Sequence, residues 1–267
     1  NNSRDYDAHA DVTESPVRQP YLECFCCPPN LVRTICKSSG WAYNLSENGI
    51  AVVLFGGNKL DTTMLDGSKL KLSQDTEYPW KGIVKITVDE CKDSAFEIKV
   101  RIPKWAVGST LSINGKNVGV ELIPGTFAEI TRKWKTGDTI VLDMPMKITL
   151  IEGHNRIEEV RNQVAVKRGP IVYCIETPDL PKNISILDVF INLNTKLEPE
   201  YKANFLGGVT VINTELQLRK DKTNNEMYQT VEKPSFEAHK TQLVPYYTWS
   251  NRGQAEMTVF IPVIWNN

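Results

Sequence analysis

Apolar and polar residues alternate with a period of two along most of the chain after Trp41. Alternation of this kind is typical of half-buried antiparallel strands. The clearest alternating segments are residues 84–88, 96–102, 140–144 and 257–263. Turn signals recur between such segments at Gly56-Gly57, Asp66-Gly67, Asn114-Gly115, Pro124-Gly125, Gly137-Asp138 and Gly207-Gly208. Many short strands with frequent turns predict a mainly β protein of β-sandwich or jelly-roll type.

The Asn-Gly pair at residues 114 and 115 lies between two short alternating apolar stretches, 111–113 and 118–120. Asn-Gly favours a two-residue type I′ turn, in which both residues have positive φ. The sequence therefore predicts a tight hairpin there. The strand set is too long for one small sandwich, and a seam falls near Leu150. We predict two consecutive antiparallel sandwiches, one over 42–150 and one over 151–267.

The clearest helix signal precedes these strands. Pro28-Pro29-Asn30 leads into an apolar run at 31–36, and Gly40 follows. Proline near the first turn and glycine after the last turn are the usual helix boundaries. The first twenty residues are polar and lack a period, which indicates a loop. Residues 1–41 therefore form a separate leading segment.

Three of the six cysteines, Cys24, Cys26 and Cys27, lie within four positions just before this helix. Disulfide frameworks space their cysteines along the chain, so the cluster favours metal or thiolate chemistry. A helix N-terminus stabilises thiolates, which suits both a zinc ligand and a nucleophile. The three cysteines supply too few ligands for a closed zinc site, and Glu23 completes it only in strained geometry. The alternative is that these are buried or incidental cysteines, with a vicinal disulfide between Cys26 and Cys27 as one form of it.

Charge and hydropathy exclude two classes of partner. The chain has 31 basic and 32 acidic residues and a net charge of −1. This balance gives no basis for binding nucleic acid or an anionic membrane surface. No apolar run approaches the roughly 20 residues that span a bilayer. The first residues, Asn1 to Asp5, lack a signal-peptide pattern. Self-association as a homo-oligomer is left open.

Several motifs, in order along the chain, resemble those of the DUF1680 glycoside hydrolases of family 127, the β-L-arabinofuranosidase family. Residues 26–33 read CCPPNLVR and resemble the family's CCPPN-x-x-R. The other matching segments are TEYPWKG at 76–82, VRIPKWA at 100–106, RKWKTGD at 132–138, RGPIVYC at 168–174, DLP at 179–181 and PYYTWSNRG at 245–253. The resemblance extends from about residue 21 to the C-terminus.

The resemblance implies an (α/α)6 barrel followed by two β-sandwiches, with residues 1–41 as the last part of the barrel. It also implies retaining hydrolysis by a zinc-bound cysteine. By the motif, Cys26 is the expected nucleophile and a zinc ligand, and Cys27 is a second ligand. Cys24 matches a cysteine of many relatives and is expected near the pocket.

The family's remaining zinc ligands and its acid/base glutamate precede this motif, so they are expected outside the chain. The chain alone is therefore expected to be inactive without that N-terminal catalytic barrel. The expected substrate is terminal β-L-arabinofuranose, or a related sugar, of a plant cell-wall glycan. A second hypothesis is that the two sandwiches form a non-catalytic carbohydrate-binding or assembly module.

The aromatic and basic residues of the matching segments are open to two interpretations. Trp80, Trp105, Trp134 and Trp249 are more often core or seam residues than a platform for stacking sugars. Near strand ends, Arg101, Arg132 and Arg168 are expected to be structural pairing partners. The isolated cysteines, Cys36, Cys91 and Cys174, are expected to be small buried residues.

Overall fold

The computed structural model describes residue 18, residues 25–220, residue 228 and residues 230–265. Within these ranges the chain forms one α-helix, α1 (Cys27–Ser38), five short 3-10 turns and nineteen β-strands. The mainly β fold with a short leading helix is therefore confirmed. No helix of the described residues combines the length and apolar character needed to cross a membrane.

The strands divide into two compact units between Lys147 and Ile148. The sequence predicts this boundary at 150/151, three residues later, and the assignment of residues 1–41 to a catalytic barrel stays a prediction. The strands of the first unit are β1 (Tyr43–Ser46), β2 (Gly49–Val52), β3 (Asn58–Thr63), β4 (Lys69–Thr76), β5 (Ile83–Glu90), β6 (Ala95–Arg101), β7 (Thr110–Ile113), β8 (Lys116–Asn117), β9 (Phe127–Lys133) and β10 (Thr139–Asp143).

The first unit is a β-sandwich. One sheet has the strand order β1-β2-β6-β9, and the other has the order β3-β4-β5-β10-β7-β8. The alternating apolar residues of both sheets enter one shared core, which includes Val52 and Ile98 from the first sheet and Ile86 and Leu142 from the second. The pairs are antiparallel except β2 with β6, which is parallel. The period-two pattern thus predicted β5, β6 and β10 together with their inward faces.

The predicted hairpin at Asn114-Gly115 joins β7 and β8. Both turn residues have positive φ, 50° at Asn114 and 77° at Gly115, as a type I′ turn requires. The Asn114 side chain also donates to Asp138 Oδ1 at 2.7 Å, which ties the turn to the Gly-Asp turn before β10. The hairpin prediction is confirmed.

The loop between β4 and β5 carries the TEYPWKG segment and depends on a glycine. A Cβ added at Gly82 would lie 1.9 Å from the Met144 carbonyl oxygen, so only glycine allows this close backbone approach. At the other end of the loop, Thr76 Oγ1 donates to the Ile83 carbonyl oxygen at 2.6 Å. Tyr78 stacks against Trp105, with ring centroids 6.4 Å apart. The segment is therefore a closed structural loop that covers one end of the sandwich core.

Trp134 is the largest fully buried side chain of the first unit, with 1% of its surface exposed. Its indole Nε1 donates to the Phe96 carbonyl oxygen at 3.1 Å. The Arg132 guanidinium covers the ring at 5.2 Å. Trp134 thus fills the core and also satisfies a backbone acceptor, which confirms the structural interpretation for this tryptophan.

We expect Trp134→Phe to lower the free energy of unfolding of the first unit by about 2 kcal/mol, because it removes buried volume and the donor to Phe96. Urea denaturation followed by circular dichroism measures this change. The matched control is Trp80→Phe, since the Trp80 side chain is 52% exposed. Equal denaturation midpoints for the two variants would contradict the assigned role of Trp134.

The second unit contains the remaining strands. They are β11 (Ile148–Glu152), β12 (Gln163–Arg168), β13 (Ile171–Glu176), β14 (Val189–Asn192), β15 (Glu198–Lys202), β16 (Val209–Arg219), β17 (Phe236–Pro245), β18 (Met257–Thr258) and β19 (Phe260–Ile264). Their main core lies between inward residues such as Val166, Ile191, Leu216 and Ile261. All described strand pairs of this unit are antiparallel except β14 with β19.

The strands of the second unit follow a closed hydrogen-bonding path, β12-β19-β14-β16-β17-β13 and back to β12. This differs from the first unit, whose strands form two separate sheets. The physical reason is that β12 changes partner along its length. It pairs with β19 through Gln163–Ala165 and with β13 through Lys167 and Arg168. Strands that change partner at a corner are a known way to join two packed sheets.

Candidate functional site

The cysteine motif lies at the first turn of α1. Cys26 is the residue that caps the helix, and its carbonyl oxygen accepts the first helical hydrogen bond from the Asn30 amide, at 3.2 Å. Pro28 stands in the first turn, where a missing N–H is tolerated because that group has no helical partner. The sequence thus begins a helix at a fixed position. Both cysteines therefore lie at the N-terminal end of the helix.

The Cys26 and Cys27 sulfur atoms lie 3.5 Å apart, and both residues are exposed. A disulfide bond is about 2.05 Å long, so the alternative of a vicinal disulfide is not what the structure contains. Burial of these two residues is also not found in the described chain, where both are exposed. Two thiolates on one tetrahedral zinc, each about 2.3 Å from the metal, lie about 3.8 Å apart. The pair therefore fits two adjacent ligand positions of a zinc site.

The end of the CCPPN-x-x-R motif stabilises this turn. The Arg33 guanidinium donates to the Asn30 side-chain oxygen one helical turn earlier. The Thr34 hydroxyl donates to the Asn30 carbonyl oxygen at 2.9 Å. Asn30 is therefore held at both its side chain and its backbone. We infer that the Asn and Arg of the motif serve to fix the turn that carries the thiols.

The described residues contain no group of three or more His, Cys, Asp or Glu side chains that could hold a metal. Cys26 and Cys27 thus supply two possible zinc ligands, and the part of the chain that the structure covers places no third ligand beside them. Cys24, expected near the pocket, and Glu23, considered as a fourth ligand, lie outside the described residues. The zinc site, its ligands Cys26 and Cys27, and the nucleophile Cys26 remain predictions.

Helix α1 has no buried residue in the described structure. Leu31, Val32 and Ile35 form its apolar face, and each is about 60% exposed. Cys36, on the same helix, is exposed as well. The prediction that Cys36 is a buried apolar residue is therefore wrong for the described chain. The physical reason is that no other described element covers the apolar face of α1 well enough to bury its residues.

The other isolated cysteines follow the prediction more closely. Cys174 is buried, and burial raises the pKa of its thiol to about 12. Cys91 is half-buried, and burial raises its pKa as well. Neither residue therefore has the raised thiolate fraction that reactive cysteines have. This leaves the start of α1 as the place where thiol chemistry is physically favoured.

The remaining tryptophans and arginines are mainly structural. Trp249 stacks on Tyr246 with the two rings 2° from parallel and their centroids 6.4 Å apart. Trp80 is the exception, because its exposed side chain does not fill the core of its unit. Arg101 donates to the Val53 carbonyl oxygen, as a structural pairing partner should.

The other two arginines also contact neighbouring groups. Arg132 lies 3.7 Å from the Asp138 carboxylate, in addition to its contact with Trp134. Burial raises the pKa of Tyr173 to about 12, and the nearby Arg168 acts in the opposite direction. The prediction of structural pairing therefore holds for the three arginines near strand ends.

A buried ion cluster in the second unit was missed by the sequence analysis. Arg252 Nη2 lies 2.7 Å from Glu176 Oε2, and Arg252 Nη1 lies 2.8 Å from Asp179 Oδ1. Glu176 is fully buried, and its other oxygen accepts from the Ser250 amide at 3.0 Å. Burial alone would lower the pKa of Arg252, but its bonds to Asp179 and Glu176 raise it overall.

The cluster explains why the DLP and NRG segments each carry a charged residue. Their partners are more than 70 residues apart in the chain, so neither segment signals the cluster by itself. The only sequence signal was the presence of charged residues beside apolar strand ends. We regard the cluster as a structural element of the second unit, because its groups are mutually paired.

Two models of one family match most of the chain. Residues 49–146 match the middle domain of GH127 β-L-arabinofuranosidases, and residues 148–262 match the C-terminal domain of glycoside hydrolase family 127. A non-reducing end β-L-arabinofuranosidase of Bifidobacterium longum subsp. longum is 31% identical over 254 residues, which are 91% of this chain and 38% of that protein.

Solved structures that resemble this chain include members of the same family. A GH127 β-L-arabinofuranosidase from Geobacillus stearothermophilus T6 superposes with a TM-score of 0.83 and 35% identity, over 94% of this chain and 39% of that one. A structure described as a glycoside hydrolase superposes with a TM-score of 0.87 and 37% identity, over 97% of this chain and 43% of that one. The chain thus spans about two fifths of the length of these relatives.

Proposed function

Because the chain belongs to glycoside hydrolase family 127, we propose that it is part of a retaining exo-glycoside hydrolase in which Cys26 is the nucleophile. Terminal β-L-arabinofuranose of a plant glycan is the proposed substrate, since two of the compared relatives are β-L-arabinofuranosidases. The observation that carries the proposal is the pair of exposed sulfur atoms, 3.5 Å apart, at the N-terminus of α1.

The proposed reaction has two steps. In the first, the Cys26 thiolate attacks the anomeric carbon, a C–S bond forms, and the glycosidic C–O bond breaks. The departing oxygen takes a proton from a general acid. In the second step, water loses a proton to the same group and attacks the anomeric carbon, and the C–S bond breaks. Two inversions at one carbon give net retention of configuration.

Cys26 and Cys27 would hold the zinc of the site, as their sulfur spacing fits two tetrahedral positions. Bound zinc supplies a positive charge that favours the thiolate form of a coordinated cysteine. The Asn30–Arg33 pair keeps the turn in place, so that both sulfurs stay on the same side of the helix start. The other ligands and the acid/base group are proposed to lie in the part of the enzyme beyond this chain.

The zinc proposal has a test that does not depend on activity. In the full-length protein, Cys27→Ser is expected to retain well under half of the zinc of the unmodified protein after dialysis against a chelator, because serine is a poor zinc ligand. Elemental analysis by mass spectrometry measures the metal content. Cys36→Ser is the matched control, since Cys36 is an exposed cysteine of the same helix. Full zinc content in Cys27→Ser would contradict the assignment of Cys27.

The reaction class is tested on the full-length protein with an aryl β-L-arabinofuranoside. Proton NMR recorded during hydrolysis identifies the anomer that is released first. We expect arabinose to appear first as the β-anomer, which then equilibrates with the other forms. First release of the α-anomer would exclude the covalent mechanism. Absence of hydrolysis by zinc-loaded protein would reject this substrate.

A further inference from the structure

A polar surface in the second unit lies outside the cysteine site. It is formed by β15, β16 and β17, which pair in register so that Glu198 faces Asn213, Asn213 faces Gln242, and Glu215 faces Lys240. Residues paired across a ladder share one face of the sheet. We call this face, made by Glu198, Lys202, Asn213, Glu215, Lys240 and Gln242, the polar platform.

The opposite face of the same strands is apolar. Ile212 and Leu216 of β16 and Leu243 of β17 are fully buried in the core of the unit. The core packing therefore fixes the backbone on which the platform side chains stand. Binding sites built on packed strands are more precise than sites on loops. The platform is in this sense a rigid surface.

The platform is concave. Together with Asp179 and Lys196 it lines a depression of about 780 Å³, and all ten residues that line the depression are polar or charged. Ligand sites in proteins usually measure about 300–1,000 Å³, but most are lined mainly by apolar groups. A depression of this size lined by polar and charged residues favours a ligand that forms many hydrogen bonds. None of the ten lining residues is aromatic, so the depression does not provide a ring for stacking.

Part of the platform is held in place by a hydrogen-bond network. The Gln242 amide donates to Asp179 Oδ1 at 3.0 Å, and its oxygen accepts from Lys202 Nζ at 2.8 Å. Asp179 is itself bound by Arg252. Side chains fixed in this way lose little conformational entropy when a ligand binds. The network therefore preorganises one side of the depression.

The other side of the depression carries exposed groups. Within the described residues, the side chains of Glu215 and Lys240 take part in no hydrogen bond or ion pair, although they face each other across the ladder. The Glu215 carboxylate accepts hydrogen bonds, and the Lys240 ammonium group donates them. A ligand hydroxyl group fits between them, because it can donate to Glu215 and accept from Lys240.

The charges of the region cancel. Among the residues that line the depression, the carboxylates of Asp179, Glu198 and Glu215 stand against the ammonium groups of Lys196, Lys202 and Lys240. A net charge of zero gives no preference for an anion or a cation. The ligand that fits is neutral and rich in hydroxyl groups.

We propose that the polar platform is a non-catalytic binding site for a neutral oligosaccharide. The choice of a glycan among neutral polyhydroxylated ligands rests on the proposed function, but the site uses neither Cys26 nor zinc. A second glycan site of this kind would keep the protein on a polymer between cleavage events. It would raise the local concentration of chain ends without taking part in bond cleavage.

The test is affinity electrophoresis of the full-length protein in gels that contain a neutral arabinan, a neutral xylan or acidic polygalacturonate. We expect retardation in a neutral polysaccharide that persists in added salt. The platform variants Glu215→Ala and Lys240→Ala should each weaken binding about five- to tenfold, since each loses a hydrogen bond to the ligand. Both positions are exposed, so both variants are expected to fold.

The matched control is Gln163→Ala, a half-buried residue of β12 that does not line the depression. It should bind as the unmodified protein does. The kcat/KM for a small aryl arabinofuranoside should be equal in all variants. Unchanged retardation in both platform variants, or retardation confined to polygalacturonate and lost in salt, would overturn the proposal. Retardation without hydrolysis would count against the proposed catalysis alone.

Discussion

Cys26→Ser in the full-length protein is expected to lower kcat by at least about a thousandfold while the fold stays intact. A serine hydroxyl is hardly ionised at neutral pH, so it must lose its proton to a base in order to attack. A thiolate attacks without that proton transfer. The exposed position of Cys26 means that the substitution disturbs no packing in this chain.

Two measurements separate this result from a loss of structure. Circular dichroism and thermal denaturation should be the same for Cys26→Ser and the unmodified enzyme. Intact-mass spectrometry with a slow substrate should show one added pentosyl group on the unmodified enzyme and none on the variant. Cys36→Ser, from the far end of the same helix, should keep normal turnover. Substantial turnover by Cys26→Ser would remove the nucleophile from the mechanism.

Arg252→Met is expected to destabilise the second unit by about 3–5 kcal/mol, because it leaves two buried carboxylates without their cation. Glu176 is fully buried, and the Asp179 side chain is 7% exposed. A loss of this size corresponds to a fall of about 10–20 °C in the melting temperature of a unit of this length. The first unit should melt as before, since the cluster lies wholly in the second.

The matched control is Arg161→Met. Arg161 forms an ion pair with Glu158, but both side chains are largely exposed, and such pairs contribute little. Hydrogen exchange measured by mass spectrometry resolves the two units. Arg252→Met should lose protection in peptides from β13 and β17, and Arg161→Met should not. Equal protection in both variants would show that the cluster does not hold these strands together.

The local features of the fold followed from the sequence because they depend on neighbouring residues. Alternation predicted strands such as β5, β6 and β10, and the Asn114-Gly115 pair predicted a turn whose two positive φ values the structure contains. The start of α1 was marked by the prolines and the cysteine cluster. In each case the cause lies within about ten residues, so the pattern can be read directly.

Features that join distant segments could not be predicted in the same way. The Arg252 cluster combines residues 73 and 76 positions apart, and no local pattern indicates that they meet. The polar platform depends on the register of three strands, which the turns and the core determine together. Cys36 was misjudged for a related reason. Its apolar helix face predicts burial, but burial also requires a partner surface that the described residues do not provide.

The closed strand path of the second unit has a consequence for synthesis. The ribosome makes the chain from the N-terminus, and β19 is the last strand in order among the described residues, yet it lies between β12 and β14. The first unit has all its strands once residue 143 has emerged. The second unit lacks the strand between β12 and β14 until residues 260–264 have emerged. We therefore expect cotranslational folding in two stages, with the second unit exposed to chaperones until its final strand is inserted.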